Sequence, residues 1–233
     1  MFPTGSWQTA PAPLTVELLL TLIIHAPDAA DIHPELRREN LASLRLPCTD
    51  TLLLPVGMSR LTALRRLSLA GNDLSDLPDT LTELTQLRRL DLRNNSLSCF
   101  PPQILALSGL TSLSLDFNPI RTLPEDIVRL KKLEVLSLIG TALTELPDTL
   151  SGLESLVQLD LSRTGLRTLP PVLAVLPRLE VLRLRSTRMR PPPALIARFP
   201  ALRVLEVNGG VFRDPLDARR RYLDARPGLT LNL

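Results

Sequence analysis

At 233 residues, with 44% hydrophobic and 22% charged side chains, the chain has the composition of a folded domain and not of a disordered polypeptide. Its longest apolar run, Leu14 to Ala26, is interrupted by Glu17 and is too short to cross a bilayer, so no membrane partner is expected. The net charge of +3 comes with only 3% aromatic residues, which provides neither stacking platforms for single-stranded nucleic acid nor a dense basic stripe for a duplex.

Residues 1 to 13 contain no Lys or Arg, so the run from Leu14 reads as an amphipathic helix and not as a secretion leader. Residues 1–40 are accordingly assigned to an N-terminal tail and helical cap. His25, Asp28, Asp31, His33 and Glu35 fall within this segment between two prolines; their spacing matches no zinc pattern, and they are read as a polar turn. No metal or other cofactor is expected.

From Leu41 onward the chain is periodic. Leu41, Leu64, Leu87, Leu110, Leu133, Leu156, Leu179 and Leu202 recur every 23 residues without an insertion or deletion. A fixed period of this length marks a solenoid, whose units bury their apolar faces only by stacking on one another. Within a block, the leucine pairs Leu67/Leu69, Leu90/Leu92, Leu113/Leu115, Leu136/Leu138, Leu159/Leu161 and Leu182/Leu184 are two apart, which places both members on one side of a short strand. Stacked blocks then form a parallel sheet. Asn72, Asn95 and Asn118 follow the strand where the backbone must turn, and their amides suit the pairing of buried main-chain groups. Thr141, Thr164 and Thr187 take over that position, as Thr49 does in the first block, so the turn is expected to persist with fewer bonds per rung.

The second half of each block opens on Leu-Pro or Phe-Pro, as at Leu77-Pro78, Phe100-Pro101 and Leu123-Pro124. Proline suits the first position of a helix, so a short helix or helical turn is expected on the outer wall. Leu77, Leu81 and Leu84 give it an inward face. Because helical turns are wider than the strand spacing, the stack curves with its strands inside.

The pattern LxxLxLxxNxLxxLPxxLxxLxx, met by LRRLSLAGNDLSDLPDTLTELTQ and LTSLSLDFNPIRTLPEDIVRLKK, resembles the 23-residue leucine-rich repeat. It is most similar to the repeats of intracellular Ras-group-like proteins and of type III effectors of plant-pathogenic bacteria. The resemblance covers residues 41–224 as eight repeats. It implies an α/β leucine-rich-repeat solenoid, or horseshoe, with a concave parallel β-sheet and a partner protein bound on that face. It also raises a second reading, the substrate-recognition part of an effector ubiquitin ligase whose catalytic domain is not in this chain. The last blocks depart from the pattern, with Pro191-Pro192-Pro193 in the seventh and Gly210 at the turn of the eighth. Asp214 to Ala225 reads as a helix with Asp217/Arg221 and Arg220/Asp224 pairs, and residues 225–233 as a closing strand.

If the strand leucines face inward, the third, fifth, seventh and eighth residues of each block line the concave face. The candidate partner-binding residues are Arg66, Arg89, Asp91, Arg93, Ser114, Asp116, Phe117, Val135, Ile139, Asp160, Arg163, Arg183 and Arg185. They define a basic start, a neutral centre with apolar Phe117, Val135 and Ile139, and a basic end, the anatomy of a protein interface. No GxSxG, HExxH, Walker-type or GxGxxG motif occurs, and short equal turns leave no loop for a pocket, so no catalytic residues are assigned. The two cysteines, Cys48 and Cys99, occupy different positions in their blocks and are read as free thiols, which places the chain in a reducing, cytoplasmic compartment. A monomer with a protein partner, without nucleic acid, is the resulting expectation.

Overall fold

Three-residue strands cannot hold a sheet by themselves; here the same three positions of every block pair in unbroken register. The computed structural model describes residues 43–45, 63–208, 210 and 212–233. Its strands are β1 (Ser43–Arg45), β2 (Arg66–Ser68), β3 (Arg89–Asp91), β4 (Ser112–Ser114), β5 (Val135–Ser137), β6 (Gln158–Asp160), β7 (Val181–Leu184), β8 (Val204–Val207) and β9 (Thr230–Asn232). They form one parallel sheet in sequence order. Each central leucine pairs with its equivalent 23 residues on, as Leu67 with Leu90 and Leu113 with Leu136, so the sequence period becomes the sheet register. The N-terminal cap, the His25 to Glu35 segment, Cys48 and Thr49 lie outside the described residues.

The leucines of the block framework form one continuous core, with Leu69, Leu92, Leu115, Leu138, Leu161 and Leu184 entirely enclosed. Burial of a leucine side chain contributes about 1.5–3 kcal/mol, and this column repeats at every level of the stack. The outer wall is made of five-residue 3₁₀ turns: Asp79–Glu83, Pro102–Ala106, Glu125–Arg129, Asp148–Gly152 and Pro171–Val175. The expected proline sits one place earlier than the first helical position. Pro78, Pro101, Pro124, Pro147 and Pro170 are extended capping residues, and their carbonyls accept the first turn's hydrogen bond from Leu81, Ile104, Ile127, Leu150 and Leu173. Fixed φ and a missing N–H suit proline to this role too, since the residue's carbonyl is all the turn uses.

The Asn and Thr rungs differ in reach. Asn95 Oδ1 accepts from the N–H groups of Asn72 (3.1 Å) and Leu74 (3.0 Å) in the preceding block, while Nδ2 donates to Leu69 O and Leu92 O at 2.9 Å. Asn118 likewise accepts from Leu97 N–H and donates to Leu92 O and Leu115 O. Thr141, Thr164 and Thr187 each donate to a carbonyl three residues earlier in their own block, Leu138, Leu161 and Leu184. The turn persists with fewer bonds, and those fewer bonds no longer cross between repeats.

At the end of the stack the spacing changes: Leu205 pairs with Leu231, 26 residues on. The extra length carries a true helix. After α1 (Pro193–Ile196), which replaces the 3₁₀ turn at the triple proline, α2 spans Pro215–Ala225. Asp214 caps α2 by accepting from Leu216 N–H and Asp217 N–H, and the pairs Arg221/Asp217 and Arg220/Asp224 form as the spacing predicts. Buried Tyr222 donates its hydroxyl to Pro191 O and stacks edge-on against Phe212. The Arg226 guanidinium donates to the carbonyls of Phe199, Pro200 and Leu202, which ties the helix end to the junction of the seventh and eighth blocks. Leu229 and Leu231 are buried by β9 and Leu233 is exposed.

Candidate functional site

The face opposite the core of β2 to β8 carries the sequence-predicted residues. On each strand the central leucine points inward and its neighbours point out: Arg66 and Arg89 are exposed, Ser114, Val135 and Asp160 half-buried. Beyond β2 to β6 the main chain continues the ladder with two further bonds, as in Leu115 N–H to Ser137 O and Phe117 N–H to Ile139 O. The seventh and eighth residues of each block are therefore part of the same rigid surface.

The eighth residue has a property that composition and leucine spacing do not display. Gly71, Asn94, Phe117, Gly140, Arg163 and Ser186 all adopt positive φ, between 54° and 73°. Glycine and asparagine tolerate this left-handed conformation; Phe, Arg and Ser do so only with strain of about 1–2 kcal/mol. The recurrence of Gly71, Asn94 and Gly140 at one block position was the available signal. Two of the candidate residues, Phe117 and Arg163, thus stand at strained positions, and strain of this kind gathers at binding surfaces.

Phe117 is 45% exposed and lies over Gly140, where a Cβ would come within 2.6 Å of the ring. Gly140 therefore serves two ends: it accepts φ +66° and it seats the phenyl ring. Ile139, half-buried, is fixed on both sides of its peptide, its N–H donating to Asp116 Oδ1 (3.0 Å) and its carbonyl accepting from Phe117 N–H. The expectation that Asp116 lines the open surface is corrected here. Its carboxylate is buried, because it is turned along the sheet to hold the next block's main chain.

The basic end zone also needs revision. Arg183 and Arg185 both converge on Glu206, with Nε to Oε2 distances of 3.3 and 2.8 Å, so the one carboxylate offsets one of their two charges within the chain. At the other end Arg93 pairs with Asp91 (2.9 Å), which also accepts from Ser68 Oγ. Asp160 accepts from Ser162 N–H. Of the candidate residues, Arg66, Arg89 and Arg163 remain basic and without an ion-pair partner among the described residues. Among the same residues no group of three His, Cys, Asp or Glu side chains is placed to hold a metal ion, and no helix is long and apolar enough to cross a membrane.

Comparison with known proteins follows the repeat. A family model described as leucine rich repeat matches residues 108–166, and a second, leucine rich repeats in two copies, matches residues 62–106. No curated protein matches the chain. Among solved structures, it is similar to the LRR ectodomain of the plant membrane receptor kinase GASSHO1/SCHENGEN3 from Arabidopsis thaliana, in complex with Casparian strip integrity factor 2. That match has a TM-score of 0.61 and 28% identity, over 76% of this chain and 22% of the receptor's. It is similar too to the plant peptide hormone receptor RGFR1 in complex with RGF2, with a TM-score of 0.55 and 26% identity over 71% of this chain and 26% of the receptor's. The Leptospira interrogans LRR protein LIC12759 shares the fold at 21% identity and a TM-score of 0.53, covering 86% of this chain and 69% of that one. The chain thus spans about a quarter of the length of these two plant receptor chains.

Proposed function

We propose, on the premise that this chain is a leucine-rich repeat protein, that it is a non-catalytic binding module which takes a partner protein on the concave face of its sheet. The observation that carries the reading is the exposed Phe117 ring seated on Gly140 beside the half-buried Ile139. An apolar shelf held in a strained conformation, with charged residues around it, has the composition of an interface centre. The plant receptors of similar fold, each solved with a ligand, add support by analogy. The exposed, unpaired thiol of Cys99 accords with a reducing, cytoplasmic setting, including that of an effector delivered into a host cell. We take the module to act as a monomer. The similarity to Ras-group-like and effector repeats, and the substrate-recognition role in a ubiquitin ligase, belong to this proposal as narrower forms of it.

A pull-down with the intact chain, run beside the Phe117→Asp/Ile139→Asp double variant, tests the reading. The variant is expected to lose the partners held by the wild type while its circular dichroism spectrum and melting stay unchanged. Partners retained in full by a folded variant would sink the concave-shelf assignment.

A further inference from the structure

The charge on the concave face is unbalanced in a way that specifies the occupant, given the concave-face reading above. Every carboxylate in its four rows is engaged inside the chain: Asp91 by Arg93 and Ser68, Asp116 by Ile139 N–H, Asp160 by Ser162 N–H, and Glu206 by Arg183 and Arg185. The exposed guanidinium groups of Arg66, Arg89 and Arg163 have no such partner among the described residues. Arg66 and Arg89 are register partners on β2 and β3, so two like charges stand on strands about 4.8 Å apart. Like charges directly across a strand pair destabilise it, and an anion lying between them relieves the repulsion with charge-assisted hydrogen bonds.

The geometry also sets a spacing. From the Arg66/Arg89 pair to Val135, in the same row on β5, is two to three strand spacings, about 12 Å. Ile139 lies four residues farther along the chain from Val135, so the shelf is roughly 18 Å from the arginines on the diagonal, the reach of about five or six extended residues. Arg163 occupies the same block position as Phe117 two blocks on, with Gly140 between them, a gap of about 10 Å that the leaning Phe117 ring shortens. A nucleic acid would satisfy the arginines and leave Phe117, Val135 and Ile139 uncovered. An acidic protein segment with one large apolar side chain covers both.

We propose that the concave face binds an extended acidic segment of its partner protein. One large apolar side chain rests on Phe117 and Ile139. A pair of carboxylates about five or six residues to one side reaches Arg66 and Arg89, and a further carboxylate one to three residues to the other side meets Arg163.

Selection of a phage-displayed library of random linear peptides on the intact immobilised chain tests this directly. Enriched peptides are expected to carry an Asp or Glu pair at that distance from a Leu, Ile, Phe or Met. The resynthesised peptide should bind the Arg66→Glu/Arg89→Glu variant at least tenfold more weakly, and regain affinity for it when its own acidic pair is changed to Lys. Peptides that lack the acidic pair, yet lose binding to the Phe117→Asp/Ile139→Asp variant, would overturn the acidic-segment proposal and leave the concave-face reading standing. Peptides indifferent to both variants would overturn both. Failure to enrich any peptide, or a single-stranded oligonucleotide that binds through Arg66 and Arg89 in its place, would also overturn the proposal.

Discussion

Asn118 and Thr164 occupy equivalent places in their blocks, yet one serves its neighbours and the other only itself. Removing the Asn118 amide leaves Leu97 N–H and Leu115 O without their partner in a dry interior, and Leu92 O with the Asn95 amide alone, so Asn118→Ala should cost about 2–4 kcal/mol. Thr164→Val gives up a single bond to Leu161 O and should cost about 1 kcal/mol. Urea unfolding of the two variants measures both, and equal losses would show that the ladder's reach has no energetic consequence. Arg163 presents the opposite case, an exposed side chain on a left-handed backbone at φ 58°. Arg163→Gly releases that strain and should raise stability by about 1 kcal/mol in the same experiment, at the expense of a cation without an ion-pair partner among the described residues. A drop in stability would mean that the arginine's contacts outweigh its backbone.

The elements differ in how fully they could be foreseen. The strands and their register follow from leucines two apart on a 23-residue period, and α2 with its two ion pairs follows from charge spacing. The outer turns were placed correctly, but only the carbonyl geometry shows proline as a cap outside the turn. Least visible was the closing unit, where Tyr222 and Arg226 reach back to main-chain carbonyls of Pro191 and Leu202 that sequence distance conceals. Burial pushes the Tyr222 hydroxyl up to about 12 from its ordinary 10.0. Since the folded state holds this proton more tightly than the unfolded chain, its contribution is intact below pH 10 and declines as pH rises toward 12, by up to about 2–3 kcal/mol. Melting curves between pH 9 and 12 should therefore fall more steeply for the wild type than for Tyr222→Phe; parallel curves would remove Tyr222 from the alkaline transition.

For the molecule as a whole, repetition made the framework readable and hid the site. Period and leucine spacing identify which residues face outward, because strand alternation leaves no choice. They do not show which outward charges are already spent. The pairing of Arg183 and Arg185 with Glu206 joins adjacent blocks, and Asp116 turns away from the surface to bind the next block's peptide. Both depend on side-chain direction, which position in a repeat does not encode. The Asn-to-Thr exchange bears on how the finished surface responds to load. Beneath β2 to β4 the turns are tied block to block by amides, while beneath β5 to β7 the turn hydroxyls bond only within their own blocks and side-chain ties between blocks come from the outward rows, as from Asp116 to Ile139 N–H and from Ser162 Oγ to Arg185 N–H. The stack accordingly changes the layer that joins its blocks: at the arginine end the joint lies under the sheet in the turn amides, and toward the far end it lies in the outward rows themselves, where a surface substitution also cuts a bond between blocks.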